Sequence, residues 1–339
     1  MRILVTGGHG YIGTHLLEIL KEEGHFVANV DLDLFHGCEF DPFVKADLEI
    51  SQDFRTLDVR QLEGYDSVMH LAAISNDPMG ELDASATYSV NRDGSIALAK
   101  LAKKAGIPRF LFASSCSIYG KGDKLDLTEQ DATNPVSAYA ESKIDAEEGI
   151  GSLADDNFTV GFLRNSTAYG YSPMLRIDLV VNNLLGCALS RGDIRIMSDG
   201  SPWRPLIHCR DIARAFLAFA KAPAAAIQNM PINVGGNAEN YQVKQIGDYV
   251  QALVPKAQIV YTGEVGNDPR NYRVSFDLLS KQIPDFKLSY TLESGMEELH
   301  KKMVDHKFSL ADFTGDRYVR LRTLKDRMDQ LAQEAPSVH

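Results

Sequence analysis

The chain has 339 residues, of which 44% are hydrophobic, and a formal net charge of −11. Those figures allow a sizeable core, and an acidic balance of that size excludes a nucleic acid or a membrane surface as the main partner. The four cysteines, Cys38, Cys116, Cys187 and Cys209, show no C-x-x-C spacing, so neither a zinc site nor a disulfide framework is expected.

No apolar run reaches the ~18 residues of a membrane span. The first strand begins at residue 2 with no space for a leader ahead of it, so a cytoplasmic protein is expected. Ile3, Leu4 and Val5 read as a strand buried on both faces. Thr6 to Gly10 is a glycine turn, and Ile12, Leu16, Leu17 and Leu20 then fall at helical spacing. Strand, glycine turn and helix form the phosphate-cradling unit of a dinucleotide-binding fold. The glycines fit two frames, Gly8-Gly10-Gly13 and Gly7-Gly10-Gly13. In either, the first glycine permits the tight turn, Gly10 lets backbone N–H groups approach a pyrophosphate, and Gly13 brings the helix close to the sheet.

His25 to Val30 reads as a second strand ending at Asp31, whose carboxylate suits ribose hydroxyls and would repel a 2′-phosphate. No Arg or Lys stands between Asp31 and Phe43, which favours NAD; Asp33 is close enough to share the role. Phe43 to Leu48 is expected to be a third strand ending in the acid Asp47. Phe54 to Leu62 is expected to be a short helix, and Ser67 to Ala73 a fourth strand with His70 as a buried, satisfied ring. A long helix is expected from Ala84 to Ala105, closed by Gly106 and Pro108. Arg109 to Ser114 is the fifth strand and carries Ser114, Ser115, Cys116 and Ser117 to the sheet's carboxyl edge. Ser137 is a plausible N-cap for a helix with Tyr139 and Lys143 on one face at i and i+4. An ammonium beside a phenol stabilises the phenolate, which makes the tyrosine a usable base at neutral pH. Phe158 to Leu163 is a sixth strand, Asp211 to Ala222 an amphipathic helix and Pro231 to Gly235 a further strand.

Together, Thr6-Gly-Gly-His-Gly-Tyr-Ile-Gly13, His70-Leu-Ala-Ala73, Ser114-Ser-Cys-Ser-Ile-Tyr-Gly120 and Tyr139-x-x-x-Lys143 resemble the extended short-chain dehydrogenase/reductase family, in its branch of nucleotide-sugar epimerases, dehydratases and 4-ketoreductases. The resemblance runs to about His300. It implies an α/β fold, a Rossmann-type doubly wound parallel sheet over residues 1–168 to which 206–236 return. A smaller, interleaved substrate lobe would come from 169–205 and 237–339. It implies that Gly7, Gly10, Tyr11, Ile12 and Gly13 hold the NAD pyrophosphate, Asp31 the ribose, and that Asp47 and Leu48 flank adenine. Leu71, Ala72, Ala73, Asn91 and Ser114 would lie along the cofactor. Ser115 would hydrogen-bond the reacting sugar oxygen, Tyr139 would act as acid/base, and Lys143 would bind the nicotinamide ribose and tune the tyrosine. Thr167, which replaces a common Asn, and Asn183, Ile196, Arg204 and Arg270 would face a nucleoside-diphosphate sugar, the two arginines gripping the diphosphate.

Departures from the family pattern narrow the chemistry. Cys116-Ser117 stands where 4,6-dehydratases carry an Asp-Glu pair, and Ser117 where sugar-acid decarboxylases carry Glu. Cys116 is expected to be a small buried thiol. The reading favoured is an NAD-dependent epimerase acting at C4 through a transient 4-keto sugar. A 4-ketoreductase would use the same residues, and a dinucleotide-sensing regulator would have kept the fold without the chemistry. The resemblance also implies a homodimer through a four-helix bundle, formed by the helices from Ala84 to Ala105 and from Ser137 to about Leu153, and Leu321, Leu324, Met328 and Leu331 suggest a C-terminal helix.

Overall fold

A computed structural model describes residues 1–75, 83–120, 126–263 and 271–325. Seven strands, β1 (Arg2–Thr6), β2 (Phe26–Asp31), β3 (Leu48–Ser51), β4 (Ser67–His70), β5 (Arg109–Ser115), β6 (Thr159–Asn165) and β7 (Met230–Val234), form one sheet. Their spatial order is β7-β6-β5-β4-β1-β2-β3, and every pairing is parallel. The order reverses between β1 and β4, and a doubly wound sheet opens its ligand crevice at such a point.

Alternation along β1 explains its position in the middle of the sheet. Ile3 and Val5 pack on one face with α1 (Gly13–Glu22), while Leu4 packs on the other; all three are fully buried. The opposite face is covered by α2 (Ser95–Lys104) and α3 (Ala138–Gly151), which contribute Leu98, Ala99, Ala102, Ala146 and Ile150 to a core with Phe110 and Phe162. A separate core holds Leu175, Val181 and Leu185 around α4 (Val180–Arg191), with Met296 and Leu299 from a later helix, and reaches Tyr318. Between these bodies runs α5 (Cys209–Lys221), whose Ile212 and Phe216 pack with α1. The chain then returns to the first sheet as β7, beside β6. No helix among the described residues is long and apolar enough to cross a membrane.

Two expected elements are redrawn and a third carries an unexpected turn. The third strand is Leu48–Ser51, not Phe43–Leu48. The Asp47 carboxylate accepts from Val27 N (2.8 Å) and pairs with Lys21, while Ala46 N donates to Glu49 (2.8 Å), so side chains satisfy the backbone before the ladder begins. The long helix runs unbroken over residues 84–104 as expected, but it widens into a π-turn, Tyr88–Gly94, between the short Ala84–Thr87 and α2. The helix expected over Phe54 to Leu62 is two 3-10 turns, Phe54–Thr56 and Val59–Leu62, because Asp53 and Asp58 each cap a fresh start. Residues 320–325 are helical, whereas Met328 and Leu331 lie outside the described residues.

A buried ion pair fastens α3 to the sheet. Arg164 on β6 donates to both Glu147 oxygens, Nε to Oε1 at 3.0 Å and Nη2 to Oε2 at 2.7 Å, and its Nη1 donates to the Tyr119 hydroxyl at 3.1 Å. Arg164→Met leaves the Glu147 carboxylate buried without its counter-charge and is expected to cost about 3–5 kcal/mol in chemical denaturation. Adding Glu147→Leu should recover most of that loss; a double variant no more stable than the single one would show that the pair is not what holds α3.

Candidate active site

The glycine turn closes because Cβ atoms are absent. Gly7 has φ +78°, and a Cβ there would stand 2.7 Å from Ala72 N; one on Gly13 would stand 2.2 Å from the Gly7 carbonyl. With α1 pressed this close, the N–H groups of Tyr11 and Ile12 have no acceptor among the described residues. Free donors at the positive end of a helix dipole fit a pyrophosphate. The Tyr11 hydroxyl donates to Gly170 O (2.6 Å), and Ser172 Oγ donates to Tyr11 O (2.8 Å), so the chain after β6 is tied to the turn. Asp31 ends β2 and accepts from His9 N (3.0 Å) and Asp33 N (2.8 Å). Asp33 and Glu49 flank His9 at 3.1 and 3.0 Å, giving an acidic rim that opposes a 2′-phosphate.

Asp47 and Leu48 do not stand on that rim. Asp47 lies opposite Val27 at the amino end of the sheet, and Leu48 opens β3. At the carboxyl end Ser51 pairs with Asp31, and Gln52 N donates to Asp31 O at 3.2 Å. Ser51 and Gln52 therefore stand beside Asp31 at the sheet's carboxyl end, a placement that only the strand register reveals.

A directed hydrogen-bond chain joins the turn to the helix of Tyr139. Ser95 Oγ donates to Asn91 O (2.6 Å), so it accepts from His70 Nε2 (2.9 Å). His70 Nδ1 therefore accepts from Thr6 Oγ1 (2.6 Å), which itself accepts from Ala72 N (3.3 Å). Burial holds the His70 ring neutral, pulled down to about 3, with the nearby Lys143 charge adding to the effect. The expected satisfied core histidine is thus present, and it also connects two elements. Asn91, in the π-turn, clasps Ile74 through N–H and carbonyl (2.9 and 3.0 Å) and donates to Ser142 Oγ (3.3 Å). Ser142 in turn donates to Tyr139 O (2.8 Å). The half-buried Leu71, Ala72 and Ala73 are held between these anchors.

Ser137 caps α3 by accepting from Ala140 N (3.2 Å). Tyr139 is half-buried, and Lys143 is buried with Nζ 5.8 Å from the Tyr139 ring centre, donating to Ala113 O at 2.8 Å. Burial pulls the Lys143 amine down to about 7, against the opposing attraction of Glu147. Facing α3 is the end of β5, where Ser115 Oγ accepts from Ser117 N (3.1 Å). Ser114 Oγ, Ser117 Oγ and Asn165 Oδ1 are buried without partners among the described residues, and Ser166 Oγ has only the Cys116 thiol beside it. Side-by-side pairing of β5 and β6 collects them at one edge, Ser115 opposite Asn165. Unmet buried polar atoms in such a cluster suit a hydroxyl-rich ligand. Asn165 and Ser166 escaped the sequence reading because only that pairing brings them to the serines. Cys116 is the buried thiol expected: it donates to Arg164 O (3.1 Å), and burial pushes its pKa up.

The remaining candidates are spread along the lobe. Thr167 is half-buried in the strand after β6. Asn183 donates to Ile177 O (3.0 Å), and its neighbour Asn182 bridges Tyr11 OH (3.1 Å) and Arg176 O (2.8 Å). The Ile196 side chain is 1% exposed in the lobe's core, so it can offer a base only backbone; Met197 is the exposed side chain beside it. Arg204 is buried and donates to Trp203 O (2.8 Å). Arg270 lies outside the described residues.

Lys143 makes a measurable linkage. Between about 7 and its unfolded value of 10.5, the unfolded chain holds a proton that the folded chain has released, so folding stability should rise with pH across that window. Lys143→Met should remove that rise when urea denaturation is followed across the same range; parallel pH profiles for the two proteins would contradict a deprotonating buried amine.

Residues 3–235 match the NAD dependent epimerase/dehydratase family. A UDP-glucose 4-epimerase of Lactobacillus helveticus is 28% identical over 254 residues, 69% of this chain and 76% of that one. Among solved structures, TunA, an NAD-dependent NDP-hexosamine 5,6-dehydratase, superposes with a TM-score of 0.80 at 25% identity, covering 90% of this chain and 98% of its own. MoeE5 in complex with UDP-glucuronic acid and NAD superposes at 0.76, also at 25% identity, covering 90% and 99%. With the glycine turn, the acid ending β2 and the Tyr139–Lys143 helix on one sheet edge, the chain belongs to the NAD-dependent epimerase/dehydratase family, the enzymes of the extended short-chain dehydrogenase/reductase group.

Proposed function

We propose that the protein is a nucleoside-diphosphate-sugar 4-epimerase. The observation that carries this reading is the buried Lys143 four residues after Tyr139, opposite the strand end that presents Ser114 and Ser115. Gly7, Gly10, Tyr11, Ile12 and Gly13 would hold the NAD pyrophosphate and Asp31 its adenosine ribose. Leu71, Ala72, Ala73, Asn91 and Ser114 would border the cofactor, and Lys143 its nicotinamide ribose. When bound, NAD supplies a hydride acceptor and donor. Tyr139, as phenolate, would remove the proton from the sugar's C4 hydroxyl and later return it. Ser115 would hold the oxygen as it becomes a carbonyl, while Arg204 and Arg270 fix the diphosphate and so orient the ring. Thr167, Asn183 and Ile196 complete the lobe's side of the proposal.

Elimination of water needs an acid and a base beside the ring. Cys116, bonded to Arg164 O, and Ser117 supply neither, which supports epimerisation over elimination as the reading. The helices Ala84–Thr87, α2 and α3 lie together on one face of the sheet and would pair with a second copy in a homodimer.

The test is a panel of UDP- and dTDP-sugars with NAD, following the C4 configuration of the products by NMR and NADH by absorbance. Inversion at C4 without net NADH change is expected, and Tyr139→Phe should lower kcat by about 10²–10⁴-fold. Net NADH consumption with a 4-keto sugar would instead establish a ketoreductase.

A further inference from the structure

Two buried arginines beside this site have no part in the chemistry above. Arg176, 7% exposed, leaves the segment after β6 and donates through Nε and Nη2 to the two oxygens of Asp178 (3.0 and 2.6 Å). Its Nη1 turns instead to Ser75 Oγ at 3.3 Å, on the segment that leaves β4 beyond the cofactor-lining alanines. Asn182 ties the Arg176 carbonyl to the Tyr11 hydroxyl, so the Arg176 backbone is fixed to the residue between the glycine turn and the helix that follows it. Arg320, 3% exposed, comes from near the end of the described chain. Its Nη2 donates to Met174 O at 3.1 Å, its Cζ lies 4.2 Å from the Phe35 ring centre, and its Nη1 is buried without a partner among the described residues.

Charge is unbalanced here. Two guanidiniums share the buried Asp178 carboxylate, and Glu39, the other acid that Arg320 feels, stands further out, paired with His36. Burial and the like charge of Arg176 pull Arg320 down to about 10, so it stays protonated at neutral pH. Arg176 in turn feels the charge of Tyr11 and Tyr139, which places it within electrostatic reach of the proposed acid/base. A buried cation with an open N–H is costly unless an anion meets it.

We propose that Arg176 and Arg320 together receive a carboxylate carried on the sugar ring, so that the substrate, under the epimerase reading on which this rests, is an acidic nucleotide sugar of the hexuronate kind. The planar fork of arginine matches a carboxylate in geometry as well as charge. Both arginines are held by carbonyls or acids of the segment 174–178 on the lobe's side of the cleft, whereas the cofactor's phosphates meet backbone N–H groups of the turn.

Calorimetry decides this without depending on turnover. UDP-glucose and UDP-glucuronate, and the dTDP forms of the same two sugars, are titrated into the NAD-loaded full-length protein. The hexuronate should bind at least about tenfold more tightly than the hexose, the effect of one charge-assisted hydrogen bond. Arg320→Met should collapse that ratio towards one. Equal affinities, a preference for the neutral sugar, or no binding of any of the four overturns the proposal. A ratio unchanged in Arg320→Met together with weakened NADH binding assigns the arginines to the cofactor and also overturns it. A neutral sugar that is epimerised at C4 with no acid preference sinks this inference and leaves the 4-epimerase reading standing.

Discussion

The closeness of α1 to the turn after β1 is the constraint on which the rest of the cleft depends. Gly13 sits where any larger residue would collide with the Gly7 carbonyl, and Gly7 sits against the backbone of Ala72. Once that approach is made, the helix end, the end of β2 and the end of β4 converge on one crevice. The bonds from Thr6 through His70, Ser95 and Asn91 to Ser142 then carry the same register across to α3. Tyr139 and Lys143 are positioned by this chain of contacts, so the placement of the reacting groups begins at the glycines.

Desolvation does most of the electrostatic work. Lys143 is buried next to aromatic and backbone groups and loses part of its hold on a proton, while Glu147, one turn further along α3, is claimed by Arg164. Were Glu147 free, it would strengthen the ammonium form of Lys143. Glu147 still pulls the other way on the amine through space, and burial outweighs it. A similar economy holds around Asp178, where one carboxylate faces two guanidiniums.

What was legible in the sequence was local. An unbroken Ile3-Leu4-Val5 run, glycines before a periodic helix, an acid twenty residues on and a Tyr-x-x-x-Lys behind a serine cap each depend on neighbours within a turn or a strand, and each stands where its spacing implied. What was not legible depends on partners far along the chain. The third strand slipped to Leu48–Ser51 because Asp47 finds Val27 and Lys21. The long helix acquired a π-turn where Asn91 clasps Ile74, a contact no periodicity encodes. Asn165 and Ser166 joined the serine edge through strand pairing. Arg176 and Arg320, separated by more than a hundred residues, carry no motif at all.

The return of the chain as β7 has a consequence for how the molecule comes into being and changes. β7 docks on β6 only after the lobe's first segment, 169–205, has emerged from the ribosome, and the lobe's own core then waits for Tyr318. Neither half is a contiguous stretch that could be excised, fused elsewhere or exchanged like a cassette. Divergence among relatives of this architecture must therefore proceed by altering loops and single side chains in place, with the cofactor cradle and the pocket above it inherited as one piece.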